Sequence, residues 1–292
     1  MTGAKTQKTK SYTRQKTVVN TIIHVILFIL SIIWILPILY LIVTSLRGET
    51  RGYTSYILPK EWSFDNYIAL FTESNTAFMY SRWFMNTLFV AVVSCIISTI
   101  FVLMISYVLS RMRFKSRKKM LNLGLILGMF PGFMSMAATY AIINIIGLSR
   151  NLWGLILVYA AGSVLGYQIA KGFFDTIPRS LDEAARIDGA SRARICFQII
   201  LPLSKPIIVY TALTTFISPW TDYIFVSYFM KTEVENYTLA YGLYSLLGNE
   251  TATKYFTVFC AGATLIAIPI TVLFLFMQKY YVEGVTGGAV KG

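Results

Sequence analysis

Six stretches of this chain are long enough to cross a bilayer, and five of them carry no charge. Val18–Leu46, Trp83–Ser110, Met120–Ser149, Asn151–Ala170 and Tyr255–Gln278 contain no Asp, Glu, Lys or Arg, and the sixth, Pro206–Met230, contains only Asp222. A helix needs about 20 residues to span the hydrocarbon core. Backbone groups in lipid must bond within their own element, so stretches of this kind are helices. Mean hydropathy is +0.62, and 56% of the residues are hydrophobic, more than an ordinary soluble domain carries. The expectation is an all-α membrane protein with six transmembrane helices. Lys5, Lys8, Lys10, Arg14 and Lys16 precede the first stretch, as they would a signal peptide. A signal peptide's apolar run is only about 7–15 residues, so the first stretch reads as a retained helix.

Orientation follows from the loops, because Lys and Arg accumulate on the cytoplasmic side. With the N-terminus inside, the inner segments 1–17, 111–119, 171–205 and 279–292 hold 19 basic residues and the outer segments hold 7. The net charge of +13 is therefore a topology signal. The basic residues hug helix ends, which argues against nucleic acid as a partner. The expected organisation is a cytoplasmic basic tail over 1–17, a six-helix domain over 18–281 and a cytoplasmic tail over 282–292. Both termini face the cytoplasm. Cys95, Cys196 and Cys260 are too dispersed for a disulfide framework or a metal site and read as small apolar residues. No cofactor or metal is expected in the chain.

The third stretch contains Phe130-Pro131-Gly132, which should kink or interrupt its helix. Such a break either lines a cavity or is a packing kink, and both readings stay open here. Trp62-Ser63-Phe64-Asp65-Asn66-Tyr67, in the outer segment 47–82, reads as an interfacial stretch with its aromatic rings at headgroup level.

The cytoplasmic segment 171–205 is unusually structured for a loop. Pro178 suits a helix start, and Arg179–Asp188 contains good helix formers with Asp182 and Glu183 in the first turn, where the helix dipole favours acids. Leu181, Ala184 and Ala185 fall on one face at helical spacing. Gly189 can take the left-handed C-cap conformation. A second short helix is expected over Arg192–Ile200, ending at Leu201-Pro202. A small alanine face permits close approach by a partner, and Glu183 offers a charge-assisted bond. On residues alone, a solvated loop helix without a partner fits as well.

Glu183-Ala184-Ala185, then Asp188-Gly189-Ala190, then Leu201-Pro202 resemble the EAA motif of permease subunits of binding-protein-dependent ABC sugar importers. The maltose-type permeases of that family end in Gly-Leu-Thr-x-Gly-x-x-Lys-Gly. Here the C-terminus reads Gly284-Val285-Thr286-Gly287-Gly288-Ala289-Val290-Lys291-Gly292, with Val285 in place of Leu. Arg111-Met112-Arg113-Phe114, Tyr237-Thr238-Leu239 and the Trp62…Asn66-Tyr67 stretch also fit the family. The resemblance covers most of the chain beyond residue 17. It implies the type I ABC importer permease architecture, with a second permease subunit (commonly making a heterodimer), two ATPase subunits that bind ATP and Mg below, and a solute-binding protein above. It implies that Glu183, Ala184, Ala185, Asp188, Gly189, Leu201 and Pro202 form the element that couples to the ATPase. Thr286, Gly287 and Lys291 would reach between the ATPases. Gly248, Asn249, Glu250 and Thr251 would contact the binding protein. The implied substrate is an oligosaccharide, and the implied location is the bacterial cytoplasmic (inner) membrane.

The sequence agrees in one respect without the resemblance. It has no Gly-x-x-x-x-Gly-Lys-[Ser/Thr] phosphate loop, so an ATP-driven transporter would need its ATPase on another polypeptide. Asp222, alone among acids in a span, follows Pro219 and Trp220, where the fifth helix has reason to break. One reading makes Asp222 a sugar-hydroxyl acceptor on the translocation path with Trp220 or Tyr223 stacking on a ring; the other makes it a hydrated or paired residue near the outer interface. A proton-coupled carrier would need several intramembrane carboxylates or histidines, and only Asp222 and His24 are present. A channel is the remaining alternative. The outer segments carry equal numbers of acids and bases, so neutral and acidic oligosaccharides both fit.

Overall fold

The computed structural model describes residues 3–73, 78–162, 164–248 and 252–289. Among these residues there is no β-strand, only one isolated antiparallel bridge between Arg47 and Trp62. The helices are α1 (Gly3–Ser45), α2 (Asp65–Thr72), α3 (Tyr80–Arg111), α4 (Arg117–Gly128), α5 (Gly132–Ile145), α6 (Leu152–Ala161), α7 (Val164–Thr176), α8 (Arg179–Ile187), α9 (Arg192–Ile195), α10 (Leu201–Leu203), α11 (Lys205–Thr221), α12 (Ile224–Met230), α13 (Leu239–Ser245) and α14 (Ala252–Ala289). The fold is all-α, as the composition requires. Helix α1 begins at Gly3, inside the expected tail, and α14 continues into the expected C-terminal tail.

Among the described residues, four segments are long and apolar enough to cross a membrane: Thr17–Ser45, Tyr80–Arg111, Leu152–Thr176 and Thr253–Lys279. Arg192–Leu203 with Lys205–Thr221, bent by 80°, supplies a fifth when the pair is taken as one span. The expected third span is broken. Helix α4 stops at Gly128, Pro131 takes an extended backbone (φ −57°, ψ 129°), and α5 restarts at Gly132. The ring of Pro131 and its missing N–H cannot continue the ladder. The fifth expected span also breaks, between α11 and α12, where Asp222 is extended; Pro219 lies inside α11, two residues before its end.

Helix α3 is the spine. It packs most extensively against α11 and α7 and also against α6 and α13. One face of it is small: Thr87, Ala91, Ser94, Ser98, Ser106 and Ser110 are all buried and follow one another by three or four residues, except for one step of eight in which Val102 intervenes. Small residues let helix backbones approach closely where lipid supplies no hydrophobic drive. Their hydroxyls bond backbone carbonyls, within the helix for Thr87 to Trp83 and Ser94 to Val90, and across to Tyr167 for Ser106. Above and below this stripe lie two cores. The outer one gathers Trp83, Trp220, Val226, Phe229 and Leu243. The inner one gathers Val102, Tyr107, Phe174, Ala185, Ile195 and Ile200.

The outer ends of the spans are tied by polar bonds. Asn66 is buried and donates to the carbonyls of Ser45 (3.0 Å) and Arg47 (2.7 Å), while its own oxygen accepts from Thr257 Oγ1 (2.8 Å). Tyr67 Oη pairs with Ser45 Oγ at 2.6 Å. Asn66 and Tyr67 thus staple the end of α1 to α2 and α14, a more specific role than the headgroup placement expected of the stretch; Trp62 and Phe64 are exposed. Nearby, Arg47 pairs with Glu49 and donates to the carbonyls of Tyr56 and Ile57. Burial works to raise the Glu49 pKa, but bonds from the N–H groups of Lys60, Glu49 itself and Glu61 and from the Tyr56 hydroxyl prevail and hold it at about 2.

Asn66→Ala leaves two carbonyls and the Thr257 hydroxyl without their partner. It is expected to destabilise the protein by about 2–3 kcal/mol, read as a lowered thermal midpoint in detergent. An unchanged midpoint would refute the staple.

Candidate functional site

The inner end of α3 and the segment 171–205 form one packed block. Helix α7 ends at Thr176, Ile177 turns the chain, and Pro178 stands immediately before α8 with φ −57° and ψ 133°. The proline is therefore the residue preceding the helix, one position earlier than a first-turn residue. Helix α8 closes with a Schellman motif: Ala190 N–H donates to the Ala185 carbonyl (2.8 Å) and Gly189 N–H to that of Arg186 (3.0 Å). Gly189 has φ +78°, the conformation its type was expected to supply. Ser191 caps α9 by accepting from Arg194 N–H at 3.2 Å. After α9 the helix widens into a π-turn over Cys196–Ile200 and closes as α10, which contains Leu201 and Pro202. Pro202 cannot donate its N–H to the preceding turn.

The inward face of α8 differs from the expected one. Asp182 and Ala185 are buried, whereas Leu181, Glu183 and Ala184 are exposed. The alanine pair is thus split: Ala185 packs into the inner core and Ala184 faces out. The reason is Arg111. Its side chain, 3% exposed, reaches from the last residue of α3 to Asp182 Oδ2 (3.4 Å), and Nη2 donates to the carbonyls of Phe174 and Ile177 (2.9 Å for Ile177). A buried cation needs such partners, and they fix the rotation of α8. Tyr107 Oη donates to the Arg192 carbonyl at 3.0 Å, and Arg179 Nη2 reaches the Ser110 carbonyl. Ser110 Oγ donates to Asp175, which also holds Lys171.

Arg111, Asp182 and Tyr107 were not legible as site residues, since Arg111 counted toward topology and the family resemblance and Asp182 toward the helix start. A signal existed: the serine stripe of α3 ends at Ser110, marking the buried face beside which Arg111 lies. Outward, α8 presents Leu181, Ala184 and Ile187, the last 87% exposed, with Glu183 and Asp188 on the same exposed surface.

The intramembrane residues separate. Asp222 lies at the α11–α12 break, where Oδ1 accepts from Phe225 N–H (3.0 Å) and Oδ2 from Tyr159 Oη (3.0 Å). It lines a cavity of about 410 Å³ with Tyr159, Tyr210, Thr214, Thr215 and Ser218. Trp220 does not: it is 1% exposed and packed by Phe84 and Phe216. Tyr223 turns to Tyr244, ring centroids 4.7 Å apart. Gly248 is described, while Asn249, Glu250, Thr251 and Lys291 lie outside the described residues. Thr286 and Gly287 fall on the last turns of α14.

Residues 118–287 match the family described as binding-protein-dependent transport system inner membrane component. The chain is 37% identical over 270 residues to the galactooligosaccharides transport system permease protein GanQ of Bacillus subtilis (strain 168), covering 92% of this chain and 94% of that protein. It is 37% identical to the maltodextrin transport system permease protein MdxG of the same organism, covering 92% and 95%. It is 32% identical to the maltose/maltodextrin transport system permease protein MalG of Escherichia coli (strain K12), covering 93% and 95%. In fold it resembles a chain of a bacterial ABC transporter involved in the import of the acidic polysaccharide alginate, with a TM-score of 0.75 at 23% identity, covering 92% of this chain and 98% of that one. The chain belongs to the family of binding-protein-dependent transport system inner membrane components.

Removing Arg111 strands Asp182 and two carbonyls. Arg111→Ala is expected to destabilise the inner block by about 3 kcal/mol, with hydrogen exchange rising over 171–190, and Arg111→Lys to recover part of the loss. Unchanged exchange would refute the role. A Cβ on Gly189 would meet nothing within 4 Å, so substitution there costs backbone strain alone. Gly189→Val is expected to cost about 1–2 kcal/mol and Gly189→Asn clearly less, read by protease nicking of the loop. Equal losses would contradict a purely conformational requirement.

Proposed function

We propose that this chain is a membrane-spanning subunit of an ATP-driven oligosaccharide importer and that α8 is its coupling helix. The observation that carries the reading is the two-sidedness of α8. One side is locked to α3 and α7 through Ala185 and the Arg111–Asp182 contact. The other leaves Leu181, Ala184 and Ile187 uncovered beside Glu183. A helix held this firmly on one side passes a push on the other side to the spans behind it. The names of the relatives, maltodextrin and galactooligosaccharide permeases, support an oligosaccharide as the cargo.

In this reading the chain pairs with a second permease subunit, as a heterodimer. Two ATPase subunits bind ATP and Mg and receive α8, with Glu183 making the polar contact and Ile187 the apolar one. Gly189 and the Leu201-Pro202 turn set the angle at which α8 is presented. Thr286, Gly287 and Lys291, in the C-terminal segment, would reach between the ATPases. The segment Gly248, Asn249, Glu250 and Thr251 faces a solute-binding protein outside. The termini and the coupling loop are cytoplasmic, as the basic residues argue. Closure of the ATPases and docking of the loaded binding protein both favour the outward-open state, so transport is a population shift. The hydroxyl-lined cavity at Asp222 is on the translocation path, with Asp222 itself held as the cap of α12.

Glu183→Lys and Ile187→Asp are expected to leave the protein inserted and folded while sugar uptake falls by at least about tenfold, the loss of roughly 1.4 kcal/mol of docking energy. The ATPase should be recovered less well with the variants. Full uptake by both would sink the coupling assignment.

A further inference from the structure

A cleft of about 320 Å³ lies between the end of α3, α8 and the start of α9. Five arginines line it: Arg111, Arg113, Arg179, Arg186 and Arg192. Two carboxylates, Asp182 and Glu183, share the lining, so the wall carries a net charge of +3 from five positive and two negative groups. Among the described residues this charge is not neutralised. Among the described residues Arg113, Arg186 and Arg192 form no ion pair, and Asp182 meets only Arg111, at 3.4 Å. Arg111 Nε, on a side chain only 3% exposed, is buried with no acceptor, and Asp182 Oδ1 beside it is buried with no donor. A buried donor left unpaired costs free energy until an acceptor reaches it.

Guanidinium groups converging from three elements match an oxyanion with several acceptor oxygens, because each fork can bond two of them. The place narrows the choice. Helix α3 is a membrane-crossing segment that ends at Arg111, so the cleft opens where that span leaves the hydrocarbon, at the level of the inner-leaflet headgroups. We propose that this cleft binds a phosphate group, the chemistry shared by an anionic phospholipid headgroup and a free phosphate or phosphoester. The proposal rests on the cytoplasmic placement of segment 171–205. A phosphate held there bridges the end of α3 to α8 and α9. It braces from the open side the joint that Arg111 closes from within.

The test is a phenylglyoxal footprint of the arginines, read by mass spectrometry on the full chain with its co-purifying subunits in nanodiscs. Three preparations are compared: neutral phosphatidylcholine alone, the same with phosphatidylglycerol, and the same with inorganic phosphate. Labelling of Arg113, Arg186 and Arg192 is expected to fall at least tenfold in the second or third preparation relative to the first. Protection by phosphatidylglycerol alone assigns a lipid headgroup, protection by phosphate alone a soluble phosphoester, and protection by both the shared site. Arg113 and Arg192 are exposed, so R113Q/R192Q should fold normally. It is expected to weaken protection of Arg186 roughly thirtyfold, at about 1 kcal/mol per lost arginine near the surface. No protection in either preparation overturns the proposal. So does protection already complete in neutral lipid and lost only when the ATPase is stripped, because an acidic side chain of that partner would then fill the cleft. Absence of any ATPase from the purified complex would contradict the proposed function instead, and the footprint would still report on the cleft.

Discussion

Close approach of helices to α3 is the constraint on which the rest of the structure depends. In lipid the hydrophobic effect does not press one apolar helix against another, so association relies on tight packing and polar bonds. The buried row from Thr87 to Ser110 meets that need, since its side chains are short, the hydroxyls of Thr87, Ser94 and Ser106 donate to backbone carbonyls, and that of Ser110 donates to Asp175. Helices α6, α7, α11 and α13 all pack on this one spine. Each therefore inherits its position from the same surface.

Arg111 extends that spine beyond the membrane. A cation at the end of a buried face can be kept only if its donors are met. The carbonyls of Phe174 and Ile177, at and just past the end of α7, and Asp182 meet three of them. The loop helix α8 is thereby attached to the span itself rather than hanging from its neighbours. The inner core, with Ala185 and Ile195 packed against Val102, Tyr107 and Phe174, completes the attachment. The chain thus presents a rigid inner block carrying an uncovered ridge, a construction suited to receiving force.

The two broken spans show the opposite device. At Pro131 the helix stops because a ring replaces a donor. At Asp222 the break is stabilised, since the carboxylate accepts the Phe225 N–H that the interrupted helix leaves free, and Tyr159 holds its other oxygen. Non-helical backbone at membrane depth persists where protein or a cavity satisfies it. Here the Asp222 break borders a cavity lined with hydroxyls. A lone acid in a span thus has a structural duty as well as a place on the cavity wall.

Much of this was legible in the residues. Charge-free stretches announced the helices, because lipid allows few other solutions. The break at Pro131 followed from proline chemistry and the left-handed turn at Gly189 from its missing Cβ, whereas the fifth span carries Pro219 inside α11 and breaks at Asp222. The residues from Pro178 to Gly189 marked a short helix with a left-handed stop. What the residues did not reveal was which way α8 turns. Leu181, Ala184 and Ala185 share a helical face on a wheel, yet Ala185 is buried and Ala184 is not. Likewise Trp220 looked available beside Asp222 but is sealed among Phe84 and Phe216. Local sequence determined where helices begin, bend and stop, since propensity, proline and glycine act within a few residues. The tertiary structure decided which faces are buried and which side chains meet, because a contact such as Arg111 with Asp182 joins positions 71 residues apart and exists only once α3 and α7 have packed.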